Sequence, residues 1–381
     1  MDIVIHMKSN CYLIVDSSEK NSDLLYRTGF FVPDSVIYIE HNNSRTLVLN
    51  DLEYERGIKE ADVEEVVSYR ECIEMLPDNK RKKSSYVDVI EMILKQKKIK
   101  NVTVQKDYPL FYADELRKRG IRVTPIKGQL LFNERLKKSN KEVSRIKHSL
   151  YHTSKAMEAA IGLIESSKIK GKRLYIGNRI LTAERVKEEI NGYLARHGFT
   201  SSHTIVSSGI YSTMPHHTGT GYLQANSPII IDIFPRSQES GYYGDMTRTV
   251  IKGEPTAEQV KMYNTVLKGQ KLGISLIRDR VKARDVHTKI QEFFEQSGFK
   301  TERINGRPQG FIHSTGHGLG LDIHEPPRIG DNDEILDEGN VVTVEPGLYY
   351  ESIGGIRIED VVVVTSDGCR NLTRFRKQFR I

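Results

Sequence analysis

The stretch Pro228-Ile-Ile-Ile-Asp-Ile-Phe-Pro-Arg-Ser-Gln-Glu-Ser-Gly-Tyr-Tyr-Gly-Asp-Met-Thr-Arg-Thr-Val250 decides how this chain is read. Its two apolar runs are interior strands by composition, yet each carries a carboxylate, Asp232 and Asp245. A carboxylate in a buried strand is costly unless a positive charge answers it. The turn-like segment Arg236–Gly241 lies between them, so the stretch reads as an antiparallel hairpin.

A second such stretch lies downstream. Val341-Val-Thr-Val-Glu345-Pro-Gly and Ile356-Arg-Ile-Glu359-Asp-Val-Val-Val-Val364 flank Glu351-Ser-Ile-Gly-Gly355. The pairs are 13 and 14 positions apart, which predicts carboxylates at facing levels of each hairpin, about 5 Å across. Four such charges brought together repel strongly. Two divalent cations are the simplest answer.

Between the pairs runs Phe311-Ile-His-Ser-Thr-Gly-His-Gly-Leu-Gly-Leu-Asp-Ile-His-Glu-Pro326, with His313, His317 and His324. Its glycines argue against a long helix and allow backbone to approach a site closely.

Around these segments the order of elements repeats. Ser139-Asn-Lys-Glu142 is a capping-box pattern opening a helix with Ile146, Leu150, Met157, Ala160 and Ile164 on one side. A second helix is predicted over 182–196, with Gly198 as its stop. Strands follow over 203–206 and 229–250. Helices over 257–277 and 283–296 and strands over 341–349 and 355–364 then repeat that order, so the two halves suggest a pseudo-twofold repeat. Residues 1–134 alternate strand and helix signals and offer few catalytic groups; His41-Asn-Asn-Ser44 is a natural hairpin turn and 86–99 a helix. The expected domains are therefore 1–134, α/β, and 135–381.

The chain has 381 residues, no tryptophan, a net charge of +7 and three distant cysteines, Cys11, Cys72 and Cys369. Nothing approaches the roughly 18 consecutive apolar residues of a membrane span. Met1–Lys8 lacks a secretory layout, and the cysteines suit a reducing compartment, so a cytoplasmic protein is expected. The lysine runs 80–83 and 95–98 lack interleaved aromatics and read as solvated surface, so a nucleic-acid partner is not expected.

Residues 135–378 resemble the pita-bread catalytic domain of the creatinase, aminopeptidase P, prolidase and methionine aminopeptidase superfamily. His313-Ser-Thr-Gly-His-Gly-Leu-Gly-Leu-Asp-Ile-His-Glu325 matches the proline-peptidase signature, and 344–349, 355–360 and 245–249 match the glutamate and second aspartate motifs. The leading third is similar to the creatinase-type N-terminal domain. The resemblance implies an α+β protein that hydrolyses Xaa-Pro bonds with a hydroxide shared by two divalent ions, most simply manganese, with cobalt, iron or zinc as alternatives. It implies that Asp232 chelates one metal, that Asp245 and Glu359 bridge, and that His317 and Glu345 complete the other. It also implies that His216, His313, His324 and Glu345 act in catalysis, with His217 an open alternative register for His216. Arg357 is expected to brace a carboxylate, and Tyr349 and Arg328 to meet substrate. Arg328, in His324-Glu-Pro-Pro-Arg328, would hold the free carboxylate of a dipeptide, or is a surface arginine. Dipeptidase and aminopeptidase activities both stay open, as does a non-catalytic binding module of the same fold, which the complete ligand set disfavours. Substrates would be small peptides with proline second, and a homodimer is implied. One departure is a loop after Asp232 about two residues longer than the family's.

Overall fold

The computed structural model describes residues 11–381, so the reading of the chain's start lies outside the described residues. The chain divides into two compact units between Arg135 and Leu136. Secondary structure is mixed in both, and the protein is α+β.

The leading unit is built on a six-stranded sheet, ordered 65–68, 44–49, 36–41, 11–16, 101–104 and 122–125. Its centre is antiparallel and its flanks parallel. Asn42 and Asn43 turn the central hairpin with φ of 52° and 63°, the left-handed geometry asparagine tolerates. The helix predicted over 86–99 is Tyr86–Gln96; it stops early because Lys98 adopts φ 55° and reverses the chain.

The second unit consists of two similarly ordered halves. In the first, the helices Asn140–Glu165 and Ala183–Arg196 pack on strands Ile229–Ile233 and Met246–Val250. In the second, Ala257–Leu276 and Ala283–Gln296 pack on Val341–Val344 and Asp360–Val364. Each half has its own apolar core, and the carboxylate-bearing strands are a wall of each. The capping box forms as read: Ser139 N donates to Glu142 Oε2 at 2.8 Å, and Glu142 N to Ser139 Oγ at 3.3 Å.

Two expectations about strand geometry change. Asp232 stands opposite Thr247, not Asp245. The ladder ends before Asp245 because residues 234–245 make an excursion of their own, in which Arg236–Ser237 pairs with Phe199–Thr200. The strands expected over 341–349 and 355–364 are each broken. Val344 opposes Asp360 in one ladder and Gly347 opposes Arg357 in another, so Glu345-Pro346 and Ile358-Glu359 lie at the break. Pro346 has no N–H to give to a ladder, which is why the pairing stops there. Asp245, Glu345 and Glu359 sit where the ladder pairing lapses, whereas Asp232 lies within its ladder.

Among the described residues no helix is long and apolar enough to cross a membrane.

Candidate metal centre

The two hairpins are stitched together by their threonines. Glu359 N donates to the Thr247 carbonyl at 3.1 Å, and Thr247 Oγ1 donates to Glu359 Oε2 at 2.8 Å. Thr249 Oγ1 donates to the Arg357 carbonyl at 2.9 Å and accepts from Arg357 N at 3.0 Å. Asp232, Asp245, Glu345, Glu359 and His317 thereby line one cavity of about 470 Å³, which His216, His313, His324, Arg328 and Arg357 line as well.

Ligand-bearing atoms of Asp245, His317 and Glu359 lie within 4.8 Å of one another. His317 Nε2 is 3.4 Å from Glu345 Oε1 and 3.7 Å from Asp245 Oδ2. Its Nδ1 lies 3.1 Å from the Gly318 carbonyl, which can only accept, so Nδ1 carries the proton and Nε2 presents a lone pair to the carboxylates. Burial, reinforced by His324, pushes the His317 imidazole down to about 3, so the ring is neutral at neutral pH. The backbone beneath is tight. A Cβ on Gly316 would sit 1.9 Å from the Thr343 carbonyl oxygen, so only glycine lets the strand carry His317 this close.

The carboxylates are under strain of charge. Burial, then Glu359, Asp232 and Glu345, drives Asp245 well above the usual carboxylate range. Burial, then Glu345 and Asp232, does the same to Glu359. Glu345 is pushed up by burial to about 8, against the pull of Arg357. One cation answers part of this. Arg357 Nη2 donates to Asp232 Oδ2 at 2.7 Å, and its Nη1 to the Tyr349 hydroxyl at 2.8 Å. Burial opposes the Arg357 charge, but Tyr349, Asp232 and Glu345 outweigh it and hold the guanidinium firmly protonated.

The fit to metal follows from what is left over. Asp232 Oδ1 and Glu359 Oε1 are buried without a hydrogen-bond partner, although their sister oxygens are held by Arg357 and Thr247. An unpaired buried carboxylate oxygen costs several kcal/mol. Two such oxygens, a lone-pair imidazole nitrogen and two further carboxylates make an oxygen-rich donor set with one nitrogen. Divalent metals of the manganese, iron and cobalt group suit such a set, and thiolate-seeking ions do not.

The outer residues fall into distinct places. His216 lines the cavity, whereas His217 stacks on Tyr211 (centroids 4.2 Å apart, 4° between planes) and accepts from Gly219 N at 3.0 Å, which separates the two registers. His324 lines the cavity edge-on to His317, with ring centroids 4.3 Å apart. His313 has both ring nitrogens engaged: Nδ1 with the Ser314 carbonyl at 2.8 Å and Nε2 with the Tyr349 hydroxyl at 2.9 Å. Tyr349, expected to line the pocket, stands behind the wall, because its hydroxyl is held inward between Arg357 and His313. Arg328 is an exposed residue on the cavity rim, its Nε donating to Ser314 Oγ at 3.2 Å. His203, Ile205, Phe234 and Ile323 also line the cavity and went unread in the sequence. Phe234 belongs to the loop that follows Asp232 and contributes to one wall of the cavity.

Residues 144–366 match metallopeptidase family M24. This chain belongs to that family. It is a metallopeptidase, and divalent metal is part of its chemistry. This M24 chain is similar to an Xaa-Pro dipeptidase of Pyrococcus horikoshii, with 27% identity over 362 residues, 94% of this chain and 92% of that one. Among solved structures, an X-Pro aminopeptidase from Thermotoga maritima superposes with a TM-score of 0.80 at 25% identity, covering 98% of each chain. An Xaa-Pro dipeptidase from Bacillus anthracis superposes with a TM-score of 0.81 at 24% identity, covering 98% of this chain and 95% of that one, a likeness of fold alone. The second unit has the pita-bread fold that its sequence led us to expect.

Proposed function

We propose that this metallopeptidase hydrolyses the bond before proline in small peptides with proline second, and that its first activity is that of an Xaa-Pro dipeptidase. One observation carries the metal chemistry: two orphaned carboxylate oxygens, Asp232 Oδ1 and Glu359 Oε1, share a cavity with the free lone pair of His317. In this reading Asp232 would hold one ion, His317 and Glu345 the other, and Asp245 and Glu359 would serve both, with manganese as the native metal. Two such cations supply a water of lowered pKa and positive charge for the developing oxyanion.

The chain's own residues do the rest. Arg357 orients Asp232 through the 2.7 Å contact. Tyr349 passes that order on to His313, whose ring braces the cavity wall through its Nε2. His324, whose pKa is lowered by partial desolvation and by Arg328, faces the leaving proline nitrogen, and His216 positions substrate from the opposite loop. Glu345, a metal ligand, also handles a proton in the reaction. Arg328 on the rim holds the free carboxylate of a dipeptide. The likeness to an Xaa-Pro dipeptidase along 94% of the chain supports this reading. The likeness to an X-Pro aminopeptidase supports a second, in which longer peptides pass Arg328. A binding module without catalysis is not favoured, since no ligand is missing. We further propose a creatinase-type leading domain over 1–134, a homodimer and a cytoplasmic location.

A product assay tests the reading. After manganese loading, the enzyme is given Xaa-Pro and Xaa-Pro-Yaa peptides in parallel. Free proline from the dipeptide, with the tripeptide untouched, is the expected result. Cleavage of the tripeptide moves the assignment to an aminopeptidase, and cleavage of neither rejects a proline peptidase.

A further inference from the structure

The first half of the second unit carries an element that the second half lacks. Six residues, 277–282, join Ala257–Leu276 to Ala283–Gln296, whereas seventeen, 166–182, join Asn140–Glu165 to Ala183–Arg196. The additional chain folds as a three-stranded antiparallel sheet of Lys168–Lys170, Arg173–Ile176 and Arg179–Ile180. Gly171 and Gly177 turn it at φ 60° and 59°. No residue of it lines the metal cavity.

Its sequence, Lys168-Ile-Lys-Gly-Lys-Arg-Leu-Tyr-Ile-Gly-Asn-Arg179, has five cations and no carboxylate. Lys168 stands opposite Tyr175, Lys170 opposite Arg173, and Tyr175 opposite Ile180. Directly opposed residues share a face, so Lys168, Lys170, Arg173 and Tyr175 present one surface while the buried Leu174 anchors the other. Lys170 Nζ lies 5.0 Å from the centroid of Tyr175, and the Arg173 guanidinium 4.7 Å from that of the 43%-exposed Tyr222. All five cations are exposed, and none forms an ion pair with a described carboxylate. On the adjoining helix, by contrast, Lys155 is paired with Glu158.

We propose that this face binds single-stranded nucleic acid. Unpaired cations alternating along strands match a phosphate backbone, and rings set among them offer platforms for bases. This partner runs against the expectation drawn from the lysine runs at 80–83 and 95–98; the hairpin sets one ring, Tyr175, among its charges, with Tyr222 beside Arg173. A bilayer is a poorer match, because the hairpin tips, Lys170-Gly-Lys172 and Gly177-Asn178, are polar and would enter lipid first.

The test is fluorescence anisotropy of the full chain with labelled oligouridylate and oligothymidylate over a salt series. Binding is expected to weaken by about 0.7 logarithmic units per phosphate contact for each tenfold rise in salt. The variant Lys168→Glu/Lys170→Glu/Arg173→Glu should bind about tenfold or more weakly, with a slope shallower by about 2. Its unfolding and peptide turnover should match the parent; if it folds poorly, Lys168→Gln/Lys170→Gln takes its place. Tyr175→Ala should weaken binding without changing the slope. The proposal is overturned if the parent binds neither oligonucleotide at low salt, if the charge variant binds as well as the parent, or if only phosphatidylserine vesicles are bound.

Discussion

The Nη2 of Arg248 lies 2.9 Å from Oδ1 of Asp360, and both side chains are 2% exposed. The same guanidinium donates to the Glu359 carbonyl at 2.5 Å and to the Thr247 carbonyl at 2.9 Å, one from each carboxylate hairpin. The other Asp360 oxygen takes Lys377 at 2.5 Å and Asn371 at 2.8 Å, which fastens the C-terminal segment to the same point. Burial works against the Asp360 charge, but Arg248 and Lys377 overcome it and lower its pKa. Removing Arg248 leaves the buried Asp360 with Lys377 as its one remaining cation and takes the donor from the Glu359 and Thr247 carbonyls. Arg248→Met should therefore lose about 3–5 kcal/mol in chemical denaturation. A loss under about 1 kcal/mol would show that the network does not hold the hairpins.

Asp245→Asn separates the roles of charge and fold. Asp245 is repelled by Glu359, Asp232 and Glu345, so removing its charge relieves the metal-free protein. The variant without metal should be at least as stable as the parent, while bound metal and peptide turnover are lost. Elemental analysis beside a thermal melt checks both. Retained turnover would refute the ligand assignment, and a metal-free variant that unfolds more easily would refute the repulsion.

Carboxylates inside apolar runs stand out in a sequence, which is why Asp232, Asp245, Glu345 and Glu359 could be picked out with their elements. What orients them was hidden. Thr247 and Thr343 look like ordinary strand threonines, yet one holds Glu359 Oε2 and the other accepts from His317 N at 3.0 Å. The choice between His216 and His217 depends on Tyr211 and Gly219, a contact between loop residues that no periodicity reports. Pro346, which cannot donate to a ladder, is the one sign in the sequence that pairing breaks at Glu345.

In the leading unit, Asp88 gives a pH signature. Burial alone would raise its pKa, but its Oδ2 accepts from Ser85 N at 2.9 Å and Ser85 Oγ at 2.8 Å, and its Oδ1 from Arg119 at 2.8 Å. These donors bring it down to about 2, below the roughly 3.9 of an unfolded aspartate. A depressed carboxylate stabilises the fold above its unfolded pKa, and that contribution is lost as pH falls through the folded one. The gap of about 2 units corresponds to at most about 2.6 kcal/mol. Asp88→Asn should lower the urea midpoint of the leading unit at neutral pH, with the difference from the parent closing between about pH 4 and pH 2. A difference that stays constant over that window rejects the assignment.

Lys138 and Glu325 form a deeply enclosed ion pair of the second unit, at 2% and 1% side-chain exposure, and they are 187 positions apart. Glu325 follows His324 and opposes Gly318 in its ladder, so its carboxylate sits under the loop that carries both His317 and His324. Asp322 N approaches its Oε2 at 3.5 Å, and a Cβ on Gly320 would come within 2.6 Å of its Oε1. Lys138, whose backbone N donates to the Gly339 carbonyl at 2.8 Å, brings the answering charge from the start of the unit. Lys138→Met alone should cost about 3–5 kcal/mol, because it removes the cation that answers a buried carboxylate. Glu325→Gln alone strands the ammonium in the same way. Lys138→Met/Glu325→Gln should recover much of either loss, a coupling that a double-mutant cycle in urea measures directly. Two losses that simply add would mean that the lysine and the glutamate support the histidine loop independently.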